Sequence, residues 1–284
     1  MKQFKALLRK EWHTNCRILL MPVWFTLGVY AMGLMGLMIN MIKGNMLQTA
    51  FFTHGYPKGA DSIILFTGVA GSVAAVGTIA MITAVILADT LLNGGFKRKC
   101  EILHLSHPVS KAKILITKYL FMVVGTIAVL LGVTLVNSLG ISTYIGYYTG
   151  AHMYFGITAW MQTMVLLFFP TLFAASMYWF FAGMFKRKSF FMGTLVIIGI
   201  QAAISILNYT AELHIPSLGA YVLRLLTVQP NLNMVQFMND MGNFSSVVDA
   251  QWSSLITVDS YMRVLYSAIF FVLGSWFYSK RELS

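Results

Sequence analysis

Reactive side chains are few in this chain. Of the six histidines, His13, His54, His104, His107, His152 and His214, only His104 and His107 are close, one helical turn apart. As a metal pair they lack further ligands nearby in sequence, and a plain surface position is the simpler reading. Met32, Met35, Met38 and Met41 recur every three residues. Thioethers suit Cu(I), but the same spacing serves flexible packing at a helix or lipid surface. Cys16 and Cys100 have no CxxC partner and read as free thiols. No metal site is therefore assigned. The chain contains no Gly-Lys dipeptide, so it has no P-loop, and it has no HExxH pair. Asp89 is the only acid within an apolar stretch. Ion-coupled carriers usually hold carboxylates or histidines at mid-membrane, and channels usually show charged rings or filter motifs. An intramembrane enzyme would need paired acids or a Ser/His constellation. None is available, so no catalytic residue is assigned and the chain is not read as an enzyme.

The elements that carry these residues are apolar. Of 284 residues, 58% are hydrophobic and 10% charged, against about 25% charged in soluble domains. Mean hydropathy is +0.73. Such a chain cannot cover its surface in water, which excludes a soluble enzyme, a disordered tail and a fibrous protein. A helix needs about 20 apolar residues to cross a bilayer. Six stretches qualify: 18–42, 61–92, 114–139, 157–184, 190–208 and 261–279. The first follows a basic segment without a small-residue cleavage site and reads as a retained span. The expected fold is an all-α polytopic membrane protein with six transmembrane helices in one domain spanning 1–284.

Formal net charge is +11. In a membrane protein this reflects basic cytoplasmic loops that meet anionic headgroups, and not nucleic-acid binding. Lys2, Lys5, Arg9, Lys10 and Arg17 precede the first span. Lys97, Arg98, Lys99, Lys111, Lys113 and Lys118 lie between the second and third, Lys186, Arg187 and Lys188 between the fourth and fifth, and Lys280 and Arg281 follow the sixth. Only Lys43, Lys58, Arg224 and Arg263 fall on the other side. The asymmetry puts both termini in the cytoplasm, as an even number of spans requires.

Between the spans, residues 2–17 place Phe4, Leu7, Leu8 and Trp12 at helical spacing among cations, the pattern of an amphipathic helix on a membrane surface. The 61–92 stretch is too long for one straight crossing; it either tilts or continues past the membrane. Residues 93–113 follow, with a Gly-Gly break, a charged patch, the short apolar run Ile102, Leu103 and Leu105, and Pro108. A short surface helix needing an apolar partner is expected there. The uncharged 140–156 segment reads as an outer loop whose Tyr144, Tyr147, Tyr148 and Tyr154 form an interfacial belt. Residues 209–260 form a long outer segment, with 217–228 an amphipathic or re-entrant helix and 229–251 polar surface. Gly68 with Ser72, and Gly71 with Ala75, form small-xxx-small pairs that suit either packing inside the bundle or a dimer contact. Pro22 and Pro170 are candidate kinks. Asn208-Tyr209-Thr210 and Asn243-Phe244-Ser245 fit the glycosylation pattern by chance.

The run Leu7-Leu8-Arg9-Lys10-Glu11-Trp12, the six spans, and Pro108-Val109-Ser110-Lys111 after span two together resemble the permease subunit of type-2 ABC exporters. The C-terminal Tyr278-Ser279-Lys280-Arg281-Glu282-Leu283 also resembles family endings. The resemblance covers the whole chain in topology and is specific over about 1–17 and 89–118. The family pattern of an acid ending span two, a Thr-Leu-Glu-like run, Pro-Val-Ser-basic and a lysine opening span three corresponds to Asp89, Cys100-Glu101-Ile102-Leu103, Pro108-Val109-Ser110-Lys111 and Lys118. Asp89 stands where Glu is commoner, and the loop carries an added Phe96-Lys97-Arg98-Lys99. The resemblance implies an elbow helix at 1–17 and a coupling helix in the 93–113 loop. That helix docks on a separate nucleotide-binding ATPase subunit, which holds ATP and Mg. It also implies a second permease chain, identical or not, and a path lined by spans one, two and five. Asp89, Glu101, Ile102, Leu103, Leu105, Pro108, Lys111 and Lys118 are the residues implied for coupling. An apolar path suits a hydrophobic or amphipathic substrate. The alternative is a membrane scaffold or sensor subunit that translocates nothing.

Overall fold

The computed structural model describes residues 2–42, 60–97, 110–186, 188–212, 214–227, 248, 252 and 255–281. Hydrocarbon offers no partner to a backbone N–H or C=O, so apolar stretches of this length fold as helices. Helix α1 runs Lys2–Leu19 and α2 Met21–Ile42. They part at Leu20, whose carbonyl accepts from both Val23 and Trp24 at 3.0 and 3.1 Å. The cause is Pro22, which has no N–H to continue the ladder. Then come α3 (Ala60–Lys97), α4 (Lys111–Thr149), α5 (Met153–Met184), α6 (Ser189–Ala211), the short α7 (Leu218–Leu226) and α8 (Val258–Arg281). Six of these, with α1 and α2 taken as one, are long and apolar enough to cross a membrane. The chain is a multi-pass helical membrane protein. No strand occurs among the described residues.

Two helices outrun their expected lengths. Helix α3 has 38 residues, about 57 Å at 1.5 Å each. It passes through Gly94 and Gly95, where a break is expected. The last turns are anchored by Asn93, fully buried, and that tertiary hold outweighs glycine's cost of about 1 kcal/mol per residue. Helix α4 runs 39 residues to Thr149, so most of the expected 140–156 loop is helix. Gly150 ends it in the left-handed region at φ 75°, its N–H donating to the Gly146 carbonyl at 2.9 Å. Tyr144, Tyr147 and Tyr148 are exposed on that helical end, as a belt requires.

Helix α5 is the centre of the bundle, packed by α3, α4 and α8. Its contact with α8 is backbone to backbone: a methyl on Gly274 would lie 2.8 Å from the Phe180 Cα, and one on Gly183 would strike the Gly274 carbonyl. Single side-chain bonds add to the packing. Trp160 donates to Thr134 of α4 at 2.9 Å and Trp179 to Ser275 of α8 at 3.2 Å. Such interhelical bonds contribute about 0.6 kcal/mol each in membranes. Most other hydroxyls in the apolar helices, Thr83 and Thr117 among them, bond the carbonyl one turn back.

Helices α2 and α6 are peripheral. Every described side chain from Leu27 to Ile42 is exposed, and α6 buries only Ser189 and Gly193. One core cluster joins Leu19, Leu92, Leu115, Trp179 and Tyr278. It gathers the ends of α1, α3, α5 and α8 with the start of α4. These ends carry the lysines and arginines, so this is the basic end. A second cluster around Leu65, Phe66, Leu130 and Ala159 fills the opposite half.

Candidate functional site

Asp89 and Asn93 stand four residues apart on one face of α3. The Asn93 amide donates to Asp89 Oδ1 at 2.8 Å and to the Phe185 carbonyl at 3.2 Å. Ser189, 100 residues away and 2% exposed, donates to the same carboxylate oxygen at 2.6 Å. These bonds tie α3 to the turn joining α5 and α6. That turn is unusual: Lys188 has φ 52° and ψ 40°, a left-handed conformation rare for a side chain with a Cβ. On the other flank, Lys118 of α4 donates to the Leu91 carbonyl at 2.7 Å. Hydrogen bonds to charged groups contribute about 1.5–3 kcal/mol each. The junction therefore holds four helix ends in fixed relation at the basic end.

Of the residues implied for coupling, the structure brings Asp89 and Lys118 to this junction, one on each helix flanking the connection. Lys111 opens α4, two turns before Lys118. Residues 93–97 and 111–113, expected within the loop, are the last turn of α3 and the first of α4. Glu101, Ile102, Leu103, Leu105 and Pro108 lie outside the described residues, as do Cys100, His104 and His107. Among the described residues no cluster of His, Cys, Asp or Glu could hold a metal ion.

Helix α1 packs beside the junction, with Leu19 against Gly125. Its face toward the bundle is partly polar. Phe4 and Trp12 are exposed, whereas Glu11 and Asn15 are buried, Asn15 donating to Glu11 at 2.9 Å. The small residues of α3 also sit differently from an internal seam. Gly68, Gly71 and Ala75 are exposed, and Ser72 is half-buried. The close approach to α5 is made instead at Gly77, where a Cβ would meet Leu167 at 2.5 Å.

The exposed face of α3 continues into a cavity of about 580 Å³ between α3 and α6, with Ala174 and Tyr178 of α5 as its floor. Asp89, Lys188 and Ser189 close it at the basic end, and Leu226 of α7 also lines it. Helix α7 is held at both ends. Gln201 of α6 accepts from the Gly219 N–H at 2.9 Å and from Ser217 at 3.0 Å. Arg263 of α8, 7% exposed, donates to the carbonyls of Arg224, Leu225 and Thr227 at 2.9–3.0 Å. Arg224 pairs with Asp259 at 2.8 Å. The expected helix within 217–228 is thus present over Leu218–Leu226, and Arg263 is a buried cap at its end.

Asn93 was missed because it reads as the first residue of the loop; its one signal is that it stands one helical turn beyond Asp89. Arg263 carried a signal too, as a cation inside an apolar run. Ser189, one serine among many, had none. The chain matches no protein-family model, no curated protein and no solved structure. Its function has to be read from its own side chains.

Proposed function

We propose that this chain is the membrane-spanning permease subunit of an ATP-driven exporter of the type-2 ABC class, driven by a separate nucleotide-binding subunit. The observation that carries this reading is the junction at Asp89 and Lys118. A loop that receives force from a partner is useful only if its two ends are rigidly joined to the spans. Here the α3 end is tied to α4 through Lys118 and to the α5–α6 turn through Asn93 and Ser189. Motion delivered to residues 98–110 would reach four helices at once.

In this reading the basic end faces the cytoplasm, with both termini. Helix α1 is the elbow, its exposed Phe4 and Trp12 resting in the headgroup region. Ile102, Leu103 and Leu105 enter an apolar groove on the ATPase, whose acidic rim meets the flanking cations. A second permease chain covers the exposed face of α2 and the half of α3 around Gly68, Gly71 and Ala75, and a hydrophobic or amphipathic substrate passes between the two copies.

The test is purification of the chain in mild detergent with identification of what accompanies it, for the wild type and for Leu103→Asp with Leu105→Asp. The wild type is expected to carry a nucleotide-binding subunit in stoichiometric amount, and the double variant to lose it or its coupled ATPase activity while remaining inserted. A wild-type chain that purifies without an ATPase would overturn the proposal and favour a scaffold or sensor role.

A further inference from the structure

The cavity between α3 and α6 has a shape and a charge pattern that select an occupant. Its α3 wall runs from Thr78 to Asp89, about 16 Å along the helix axis at 1.5 Å per residue. That is about half of a 30 Å hydrocarbon core, the depth of one leaflet. The volume, about 580 Å³, lies within the range of ligand-binding sites, about 300–1,000 Å³. Ile82 and Ile86, which line it, lie 46% and 37% exposed on the outer surface of α3, so it opens sideways toward lipid. It is bounded on the other sides: Ala174 lies at its floor, and Tyr178 stacks on Phe190 at 5.3 Å and 17° as one wall. Leu226 of α7 adds a further wall. A dry apolar wedge left empty forfeits dispersion contacts along every wall, and inside a bilayer the group able to fill it is a hydrocarbon chain.

Polar groups meet the cavity chiefly at one end. Asp89 Oδ1 accepts from Ser189 and Asn93, which commits that carboxylate to the helix junction. The Lys188 side chain is exposed at the same end. With the carboxylate held in hydrogen bonds to the protein, the exposed Lys188 ammonium meets an incoming headgroup, and it favours an anionic one over a cationic one.

We propose that the wedge between α3 and α6 binds one acyl chain of an anionic phospholipid from the leaflet at the basic end, with its phosphate at Lys188. The site does not depend on how the protein is driven, and it would serve a scaffold as well as a permease. An occupant here sits between α3 and the first turn of α6, beside the Asp89–Ser189 bond, so occupancy bears on the angle between the two helices.

The test uses the full-length chain in phosphatidylcholine vesicles carrying a trace of either phosphatidylglycerol or phosphatidylcholine with a photoreactive group on one acyl chain. Cross-links should fall on Ile82, Ile86 and Phe190, and should favour the phosphatidylglycerol probe about fivefold, the scale of one basic residue at an anionic surface. Lys188→Glu, a change of an exposed residue, should remove that preference. Ile86→Trp, which fills the wedge, should abolish these cross-links while leaving those on the lipid face of α2 unchanged. Unlabelled phosphatidylglycerol should compete on the wild type more strongly than unlabelled phosphatidylcholine. Equal labelling by the two probes, or wedge labelling that follows the α2 face in every variant, would show ordinary annular lipid and overturn the proposal.

Discussion

At the scale of single residues, one carboxylate organises the basic end. Asp89 Oδ1 accepts from Asn93 and Ser189 at 2.8 and 2.6 Å, and both donors are buried. Asp89→Ala leaves two buried donors without their acceptor, a loss of about 2–4 kcal/mol. Asp89→Asn keeps an acceptor oxygen and loses only the charge assistance, about 1 kcal/mol. Thermal unfolding in detergent should therefore rank the variants wild type, Asp89→Asn, Asp89→Ala in falling stability. Asp89→Ala melting no lower than Asp89→Asn would mean that the junction is not held by this oxygen. Asp89 stood out in the sequence as an acid deep in an apolar run, whereas Asn93 read as the start of a loop, because a Gly-Gly pair follows it. Ser189 did not stand out, because a bond across 100 residues has no local pattern.

At the scale of elements, α7 shows how a short helix is fixed inside a membrane bundle. Its nine residues are too few to be stable alone. Ser217 caps its first turn by accepting from the Ala220 N–H at 3.2 Å. The far carbonyls are taken by Arg263, whose planar fork reaches three of them. Arg263→Gln should release α7: hydrogen exchange over residues 218–227 should rise at least tenfold while the α5–α8 contact stays protected. Arg263→Lys should fall between the two, since an ammonium donates to carbonyls without the fork. Unchanged exchange in Arg263→Gln would mean that Gln201 and the apolar contacts of Leu225 hold α7 without the cap. The same scale explains why α3 and α4 run on past the points where composition reads as loop. A Gly-Gly pair and an uncharged Tyr-rich run resemble loops by composition, but neither ends a helix whose neighbours already hold it.

At the scale of the whole molecule, charge and topology agree. The cations outside the spans concentrate where α1, the end of α3, the start of α4, the α5–α6 turn and the end of α8 meet. Reporters fused to the N-terminus and to the C-terminus should both be active on the cytoplasmic side of the cell membrane, the side basic loops prefer. Termini on opposite sides would require an odd number of crossings and a different bundle. The sequence by itself determined the membrane class, the six apolar spans, the skew of charge and the presence of helix at 2–17 and within 217–228. Each is a property of a short window: a sum of hydropathies, a count of lysines, a repeat of one helical turn. Only the tertiary structure decided that α5 is the centre, that α2 and α6 stand apart, that Arg263 caps α7, and that a wedge opens between α3 and α6. Those features are contacts between residues tens to a hundred positions apart. In a bilayer, where every span is apolar all round, hydrophobicity does not choose neighbours. That choice falls to close backbone contacts, such as Gly183 on Gly274, and to a few buried polar bonds.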